Sequence, residues 1–270
     1  DLQWDYLEGD GDFRSDEVKK LRDEADIIIT NPPFSLFRVF LAWIVEAKKE
    51  FIIIGNINCV TYKEVFPLIQ NNSVWMGCTI HSGDREFEVP EGYPLKAAGW
   101  RIDENGKKYI RVKGVRWYTN IDHGRRHHPL ELMTMADNIK YSKHKEVKGK
   151  QYSVYDNFEA IEVPYTDAIP KDYDDIMGVP ITFLDKYYPE QFEIVGITKT
   201  WFGMATKVFP KQIQVSKTGK KSVVTKLNDG AAIEVDGPIE GDVYYIVDGK
   251  YYTQAYARIL IRKKVSPNTH

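Results

Sequence analysis

The stretch Asp26-Ile27-Ile28-Ile29-Thr30-Asn31-Pro32-Pro33-Phe34-Ser35 decides how the N-terminal part of this chain folds. Its apolar and β-branched residues are typical of a buried strand, and the two prolines end that strand because they lack the N–H groups that strand pairing needs. The chain must therefore turn sharply at Asn31. This turn puts the Asn31 carboxamide and the Pro32 carbonyl oxygen at the carboxyl end of a strand, which is where open α/β sheets bind their ligands.

The four residues Asn31, Pro32, Pro33 and Phe34 combine two hydrogen-bond acceptors with an aromatic face. A carboxamide oxygen and a neighbouring carbonyl oxygen suit the two hydrogens of an exocyclic amino group. Phe34 offers a surface on which the ring that carries this group can stack. The alternative interpretation is structural: a strand, a rigid turn, and a Phe34 side chain that returns to the core.

Helical periodicity follows the turn. Residues 35–49 carry apolar side chains at the spacing of one helix face, and Phe51 to Gly55 forms the next apolar run. Strand, helix and strand within about 30 residues predict a βαβ unit with parallel strands. Two further helices are predicted, one over 16–24 with Ser15 as its N-cap and one over 61–70.

Composition and length place the chain among ordinary globular proteins. It has 270 residues, of which 43% are hydrophobic and 28% charged. The net charge of -2 does not exclude nucleic acid as a partner, because basic residues can gather on one face. Cys59 and Cys78 are too few for a disulfide framework, which favours a reducing cytosol. No apolar run reaches the length of a membrane span, so no membrane association is predicted.

From residue 74 the pattern changes to short strands. Hairpin turns are predicted at Asn105-Gly106 and Asp248-Gly249, with one strand over 107–119 after the first of them. Residues 123–150 are polar and irregular. Their four histidines have no carboxylate or cysteine at ligand spacing, so no metal site is predicted. We expect a catalytic region over 1–122, a connecting segment over 123–150 and a strand-rich region over 151–270.

Lysine residues accumulate between positions 207 and 226, with no carboxylate among them. Trp201, Phe202 and Phe209 lie nearby in the sequence. One interpretation is an ordinary solvated face, and the other is a surface that contacts nucleic-acid phosphates. The lysines are Lys207, Lys211, Lys217, Lys220, Lys221 and Lys226.

Asn31-Pro32-Pro33-Phe34 resembles the amine-binding motif of the N6-adenine DNA methyltransferases that use S-adenosylmethionine. A related Asn-Pro-Pro-Tyr motif belongs to enzymes that methylate the amide of protein glutamine. Further blocks across nearly the whole chain are similar to the EcoRI-type adenine-specific DNA methyltransferases, which favours DNA adenine as the substrate. These blocks are Asp10 to Ser15, Thr30 to Arg38, Gly55 to Asn58, His81 to Phe87, Lys113 to Trp117 and Met177 to Leu184.

The resemblance implies a fold and a reaction. The fold is α/β, with a Rossmann-like sheet of the type that binds S-adenosylmethionine, followed by a mixed, strand-rich target-recognition region. The reaction is methyl transfer from S-adenosylmethionine to N6 of an adenine that is rotated out of double-stranded DNA, as in bacterial or phage restriction-modification systems of the cytoplasm.

The resemblance also assigns roles to individual residues. Asn31 and Pro32 would accept the N6 hydrogens, and Phe34 would stack on the flipped base. The acidic turn would contribute to the S-adenosylmethionine site, with turn chemistry as the alternative reason for its carboxylates. The residues implied there are Asp10, Asp12 and Phe13. The residues expected to contact DNA are Arg85, Arg116, Lys211, Lys217, Lys220 and Lys221.

One expected element does not appear in the sequence. Enzymes of this type carry a glycine-rich motif, Phe-x-Gly-x-Gly, ahead of Asn-Pro-Pro-Phe, and no segment here matches it. We therefore expect the first strands of the sheet and most of the cofactor site to lie outside this chain. The exposed edge of the remaining sheet would then pair with this N-terminal segment or with a second copy of the chain. The alternative functions are a non-catalytic DNA-binding fragment or degenerate methylase and, ranked third, a protein-amide methyltransferase.

Overall fold

The computed structural model describes residues 4–80, 85–96 and 99–264. The chain divides into two compact units, Asp1–His123 and Gly124–His270. The first unit has the following elements in chain order within the described residues: α1 Asp16–Glu24, β1 Ile27–Thr30, α2 Phe37–Glu46, β2 Glu50–Asn56, α3 Phe66–Gln70, β3 Trp75–Met76, β4 Arg85–Val89, β5 Arg101–Ile102, β6 Lys108–Val112 and β7 Val115–Thr119.

The predicted βαβ unit is confirmed. β1 and β2 pair in parallel, with Ile27 opposite Glu50 and Thr30 opposite Ile53. The helix that connects them buries Phe37, Phe40, Leu41 and Ile44, so its apolar stripe packs on one face of the sheet. The predicted helix over 16–24 is also confirmed, and the Ser15 hydroxyl accepts a hydrogen bond from Val18 N at 3.3 Å.

A four-stranded sheet contains this unit, in the order β1-β2-β7-β3. β7 runs antiparallel to both of its neighbours, so β1, β2 and β3 share one direction. Strand β1 lies at the edge of the sheet. On the face opposite α2, Ile27 is 46% exposed and Ile29 is 67% exposed, which leaves that side of β1 open.

Two predicted elements of the first unit differ from the structure. The prediction of one strand over 107–119 is wrong, because the chain turns at Gly114, whose φ is +70°. β6 then joins a separate sheet of order β4-β6-β5, while β7 joins the parallel strands. The predicted helix over 61–70 is shorter than expected, since only Phe66–Gln70 is α-helical and Ile57–Thr61 forms a 3-10 turn.

The second unit is built mainly from antiparallel strands. Its elements within the described residues are α4 Met135–Tyr141, β8 Ile161–Glu162, β9 Met177–Pro180, β10 Phe192–Ile197, β11 Gln212–Val215, β12 Lys221–Val224, β13 Ala231–Val235, β14 Tyr244–Val247, β15 Lys250–Ala255 and β16 Arg258–Lys263. They form a sheet of order β10-β16-β9-β8 and a sheet of order β12-β11-β14-β15-β13.

Sequence patterns predict most of these strands, but they miss one strand and one helix of the second unit that are described next. The Asp248-Gly249 hairpin is confirmed, since β14 and β15 pair antiparallel across it. Strand β13 was not predicted. The segment over 123–150, expected to be irregular, contains α4, and all of it except His123 belongs to the second unit. The N-cap of α4 is Thr134, whose hydroxyl accepts from Asp137 N at 3.0 Å.

Candidate active site

The Asn31 carboxamide stands at the carboxyl end of β1, as the strand-then-proline pattern predicts. Asn31 is exposed, and within the described residues its side chain has no hydrogen-bond partner. Pro32 is buried beside it and fixes the backbone. The amide of Leu36 donates to Pro33 O at 2.9 Å, which closes a 3-10 turn over Phe34–Leu36. The chain therefore presents an unused carboxamide on a rigid turn.

Phe34 does not return to the core. Its side chain is 37% exposed at the start of the 3-10 turn, so the purely structural interpretation of this phenylalanine is wrong. The core position is taken instead by Phe37, which is fully buried. The turn thus separates one aromatic residue that packs from another that remains available to a ligand.

The support under this turn is a packed aromatic pair on the sheet. The rings of Phe37 and Tyr118 lie 4.8 Å apart, and the Tyr118 hydroxyl donates a hydrogen bond to Asn56 O at 2.7 Å. Gly55 lies between them, and a Cβ at this position would be only 2.9 Å from Tyr118 Cε2. The close contact of α2 with the sheet therefore depends on a residue without a side chain.

Asn56 ends β2 at the same edge of the sheet, but its side chain is already used. Its Oδ1 accepts from Asn58 N at 2.9 Å and its Nδ2 donates to Lys113 O at 2.8 Å. Both bonds hold the turn that follows β2. Of the two asparagines at the carboxyl ends of the parallel strands, Asn31 is the one whose side chain has no hydrogen-bond partner in the part of the chain that the structure describes.

The acidic turn over residues 9–13 is tied together by its own carboxylates. Asp10 Oδ1 accepts from Asp12 N at 3.0 Å. Asp12 is bound by Arg14, with Nε 2.9 Å from Oδ1 and 3.2 Å from Oδ2. This hydrogen bond and the Arg14 charge hold the pKa of Asp12 at about 2. Asp10 is exposed and has no ion pair within the described residues.

Phe13, the third residue implied for the cofactor site, packs against α2. Its ring lies 5.1 Å from the ring of Phe40 and 5.5 Å from that of Trp43. These edge-to-face contacts attach the acidic turn to the helix.

The ion pair between Asp12 and Arg14 was not predicted from the sequence. The Asp-x-Arg spacing is the local pattern that could have indicated it.

The two arginines expected at DNA differ in exposure. Arg85 begins β4 and is exposed, whereas residues 81–84 of the same predicted loop lie outside the described residues. Arg116 lies in β7, is 4% exposed, and its Nη1 donates to Val115 O at 2.9 Å. A guanidinium buried in this way does not form part of the surface, which corrects the expectation for Arg116.

The lysine-rich segment forms the β11–β12 hairpin and its flanks. Two of its lysines are paired with carboxylates that are distant in sequence: Lys207 with Asp156, and Lys217 with Asp242 at 3.9 Å. Within the described residues, the other four lysines of this segment have no ion-pair partner: Lys211, Lys220, Lys221 and Lys226. Four exposed cations of the hairpin and its flanks are therefore uncompensated among the described residues.

The open face of the β1-β2-β7-β3 sheet carries a cavity of about 390 Å³. Ile29, Ile52 and Trp117 contribute apolar surface to it. His123 also lines this cavity and its Nε2 lies 2.9 Å from Met76 O. Sequence periodicity gave no sign of this cavity, because its residues come from four separate segments.

Neither a metal cluster nor a membrane-spanning helix is found in the part of the chain that the structure describes. No group of three or more His, Cys, Asp or Glu side chains there could hold a metal ion. No helix over those same residues is long and apolar enough to cross a bilayer.

Comparison with known proteins gives one family and several relatives. The family described as "Adenine-specific methyltransferase EcoRI" matches residues 1–264. The type II methyltransferase M.EcoRI of Escherichia coli is 46% identical over 191 residues, which is 71% of this chain and 56% of that protein. M.MgeORF184P of Mycoplasma genitalium is 31% identical over 261 residues, which is 96% of this chain and 71% of that protein.

A third relative is the type II methyltransferase M.MpnI of Mycoplasma pneumoniae. It is 33% identical over 192 residues, which is 70% of this chain and 57% of that protein. The chain thus spans little more than half the length of two of these three curated relatives. No solved structure matches the chain.

Proposed function

Because this chain belongs to the EcoRI family of adenine-specific methyltransferases, we propose that its protein transfers a methyl group from S-adenosylmethionine to N6 of adenine in double-stranded DNA. The observation that carries this proposal is the exposed Asn31 carboxamide at the carboxyl end of β1, which has no hydrogen-bond partner among the described residues. It stands beside the Pro32 carbonyl oxygen and the exposed ring of Phe34. We place this activity in a bacterial or phage-derived restriction-modification system of the cytoplasm.

Asn31 and Pro32 act on the amino group of the target base. Adenine N6 cannot be reached inside a duplex, so the base must be rotated out before it meets these acceptors. Asn31 Oδ1 and Pro32 O then accept the two N6 hydrogens, which increases electron density on the nitrogen and orients its lone pair. S-adenosylmethionine supplies an electrophilic methyl group on sulfur. The contribution of the protein is positioning and electrostatics, without a covalent enzyme intermediate.

Phe34 holds the flipped base in place. Its exposed ring offers a stacking surface next to the two acceptors, and stacking on an aromatic side chain is worth about 1–3 kcal/mol per base. The rigid 3-10 turn keeps this ring and the Asn31 carboxamide on one short segment. The base is thereby held by its face and by its amino group together.

Asp10 is the carboxylate that we assign to the amino group of the cofactor adenine. Oδ1 of Asp10 accepts a hydrogen bond from the Asp12 amide, and the other carboxylate oxygen has no partner among the described residues. Asp12 is less suited to this role because Arg14 already binds both of its oxygens. Phe13 supports the site by anchoring the turn to α2.

We propose that the sheet is the carboxyl half of a Rossmann-like methyltransferase sheet. Two features support this: parallel strands joined by a packed helix, and an edge at β1 that has no neighbour among the described strands. Together with the open face around Ile29, this edge would take a further segment of the natural protein or a second copy of the chain.

DNA contact is assigned to Arg85 and to the lysines of the β11–β12 hairpin. Among the described residues, Lys211, Lys220 and Lys221 have no ion-pair partner, and Lys217 has a long, exposed ion pair with Asp242. Long cationic side chains on a hairpin can reach backbone phosphates without reading base sequence. Arg116 is not included in this surface because it is buried.

The proposal is tested by a methyl-transfer assay on the natural gene product that contains this chain, with labelled S-adenosylmethionine and duplex DNA. We expect Asn31→Ala to abolish transfer while DNA affinity stays near the wild-type value, because the acceptors act after the base has been flipped. Asn71→Ala is the control, since Asn71 is an exposed asparagine of the same unit that caps α3.

Two results would contradict the proposal. A wild-type protein that binds duplex DNA without methylating it would support the alternative function, a degenerate methylase that only binds DNA. Transfer to a protein glutamine instead of adenine would support a protein-amide methyltransferase.

A further inference from the structure

An arginine stands about one helical turn after the Asn-Pro-Pro-Phe segment. Arg38 is the second residue of α2, and its side chain is 52% exposed. It lies four positions after Phe34, and Phe37 N donates to Phe34 O, so the helical backbone is continuous between them. Side chains four positions apart are neighbours on a helix surface. The Arg38 guanidinium therefore lies next to the ring that we assign to the flipped base.

Tyr62 fixes the position of this guanidinium. The Arg38 Cζ atom lies 5.0 Å from the centroid of the Tyr62 ring, which is a cation–π contact. The Tyr62 backbone is held on both sides, since its N–H donates to Cys59 O at 3.1 Å and its carbonyl accepts from Phe66 N at 2.9 Å. Cys59 and Phe66 are themselves buried. An arginine that is stacked on a fixed ring has less freedom to lose when it binds a ligand.

Arg101 of the same unit shows a stacked arginine whose donors are satisfied. Its Cζ lies 4.2 Å from the centroid of the Tyr109 ring. Its Nε donates to Glu86 Oε1 at 3.1 Å and its Nη2 donates to Glu86 Oε2 at 2.8 Å. The Arg101 guanidinium thus combines a tyrosine face with a carboxylate bound through two donors.

Arg38 has the same kinds of neighbours without the hydrogen bonds. Its Nη1 atom lies 3.7 Å from Glu64 Oε1, which is too long for a hydrogen bond. Among the described residues, the Arg38 guanidinium donates no hydrogen bond to any other group. A guanidinium has five N–H donors, and none of those of Arg38 is used in the part of the chain that the structure describes.

The charge around Arg38 is positive on balance. Lys63 and Lys113 are exposed and have no ion-pair partner among the described residues. Lys63 directly precedes Glu64, and Lys113 O accepts from Asn56 Nδ2 at 2.8 Å at the end of β2. In the first turn of α2, the segment after β2 and the β6–β7 turn, three cations therefore stand against the one carboxylate of Glu64. The pair between Arg38 and Glu64 is long and exposed, so it is weak.

Helix stability does not explain an arginine at this position. The helix dipole favours carboxylates in the first turn and cations in the last. α2 has no acidic residue in its first turn and carries Arg38 there instead. Side chains that break a local rule in this way are expected at functional sites.

We propose that Arg38 binds a backbone phosphate of the DNA strand that carries the target adenine, and so positions the flipped nucleotide. A guanidinium presents parallel N–H donors that match two oxygens of a phosphate. The flipped base stays bonded to its own sugar and phosphate, so a base held by Phe34 brings a phosphate close to Arg38. The inference rests on the proposed function and adds a substrate-positioning residue to the same site.

The first test is a thermodynamic cycle between Arg38 and single phosphates of the DNA. It uses the natural gene product that contains this chain and a short duplex in which the wild type methylates one mapped adenine. A neutral methylphosphonate replaces one phosphate at a time on either side of this adenine. In the wild type, one such position should weaken binding about five- to tenfold. In Arg38→Ala the same position should have no further effect, because the cation that it binds is gone.

Arg101→Ala is the matched control for this cycle. Arg101 is 48% exposed, stacks on Tyr109 and pairs with Glu86, and it has no assigned role in binding. The Arg101→Ala variant should therefore keep the methylphosphonate effect of the wild type. Arg38→Lys keeps the charge without the parallel donors, so it should recover part of the affinity lost in Arg38→Ala. Circular dichroism checks that each variant is folded.

The second test separates a DNA phosphate from the carboxylate of S-adenosylmethionine, which is another anion that a guanidinium binds. S-adenosylmethionine is titrated into the wild type and into Arg38→Ala in the absence of DNA. Equal affinities support the assignment of Arg38 to DNA. A lower affinity of the variant assigns Arg38 to the cofactor and overturns the inference.

The inference also fails if methylphosphonate has the same effect on the wild type and on Arg38→Ala at every position. If the wild type still methylates DNA in that case, only the phosphate contact is overturned and the proposed function stands. A wild-type protein that transfers no methyl group to any duplex overturns both.

Discussion

Arg14 binds both carboxylate oxygens of Asp12, at 2.9 Å and 3.2 Å from its Nε. The two residues lie two positions apart in the acidic turn, so the pair forms without any long-range folding. The backbone adds a further bond, from Arg14 N to Asp12 Oδ1 at 2.9 Å. These bonds and the Arg14 charge hold the pKa of Asp12 at about 2, compared with an ordinary value of 3.8.

This pair predicts a specific pH dependence. The folded pKa of Asp12 lies below its unfolded value, so the contribution of Asp12 to stability is present above about pH 4 and is lost as the pH falls toward 2. Carbon NMR titration of the Asp12 carboxyl group should therefore give a midpoint near pH 2. In the Arg14→Ala variant this midpoint should rise toward the ordinary value, and an unchanged midpoint would mean that Arg14 is not the cause.

Phe34 and Leu36 allow a matched test of base stacking. Both side chains are 37% exposed and belong to the same 3-10 turn, but only Phe34 has an aromatic face. We expect Phe34→Ala to weaken binding of the flipped adenine by about 1–3 kcal/mol, or about five- to 150-fold. Fluorescence of 2-aminopurine at the target position reports this step. Equal losses in Phe34→Ala and Leu36→Ala would show that the ring acts only through folding.

Gly55 is predicted to be intolerant of any side chain. A Cβ here would overlap the Phe37 ring and lie 2.9 Å from Tyr118 Cε2, both of which are fully buried. Gly55→Ala should lower the free energy of unfolding by about 1–3 kcal/mol, as overpacked cores do. Because α2 would be displaced from the sheet, methyl transfer should fall as well. Urea unfolding measures the first effect.

Gly92 provides the control for this substitution. A Cβ there would meet no atom within 4 Å, so Gly92→Ala should leave the unfolding midpoint unchanged. A stable Gly55→Ala variant with full activity would show that the contact between α2 and β2 is less tight than the structure indicates.

Arg258 and Glu162 form a buried ion pair in the second unit. Arg258 Nη2 lies 2.7 Å from Glu162 Oε1, and the two side chains are only 15% and 10% exposed. Arg258→Ala leaves a buried carboxylate without its cation, which should cost about 3–5 kcal/mol of unfolding free energy.

Arg262 offers a comparison on the same strand. It pairs with Glu193 at 2.8 Å, but both side chains are about half exposed, at 47% and 49%. Arg262→Ala should therefore cost less than about 1 kcal/mol. Thermal or urea unfolding of the two variants side by side tests whether burial, rather than distance, sets the energy of these pairs.

Local sequence pattern was enough to predict the core of the first unit. The run Ile27 to Thr30, the two prolines and the helical spacing after them predict the βαβ unit and place Asn31 at its edge. The same kind of signal predicts the Ser15 cap and the Asp248-Gly249 hairpin. These features depend on interactions between residues close in sequence, so they can be read from a single chain.

Strand assignment between residues 107 and 119 could not be decided in this way. The apolar pattern runs through Gly114, yet β6 and β7 belong to different sheets. The turn is held by a contact with a distant residue, since Gly114 O accepts from Ile57 N at 2.7 Å. A pairing that joins positions so far apart leaves no local signal in either segment.

By itself, the sequence determined which residue types stand at the carboxyl end of β1 and that the chain must turn there, because proline geometry and side-chain period are local properties. Tertiary structure alone decided which of these polar groups remain available. It used the Asn56 carboxamide for a turn and left that of Asn31 without a partner among the described residues. It also buried Arg116 and gathered Arg125, His128 and Lys186 around one cavity. Burial and hydrogen-bond partners are set by residues distant in sequence, which no spacing rule includes.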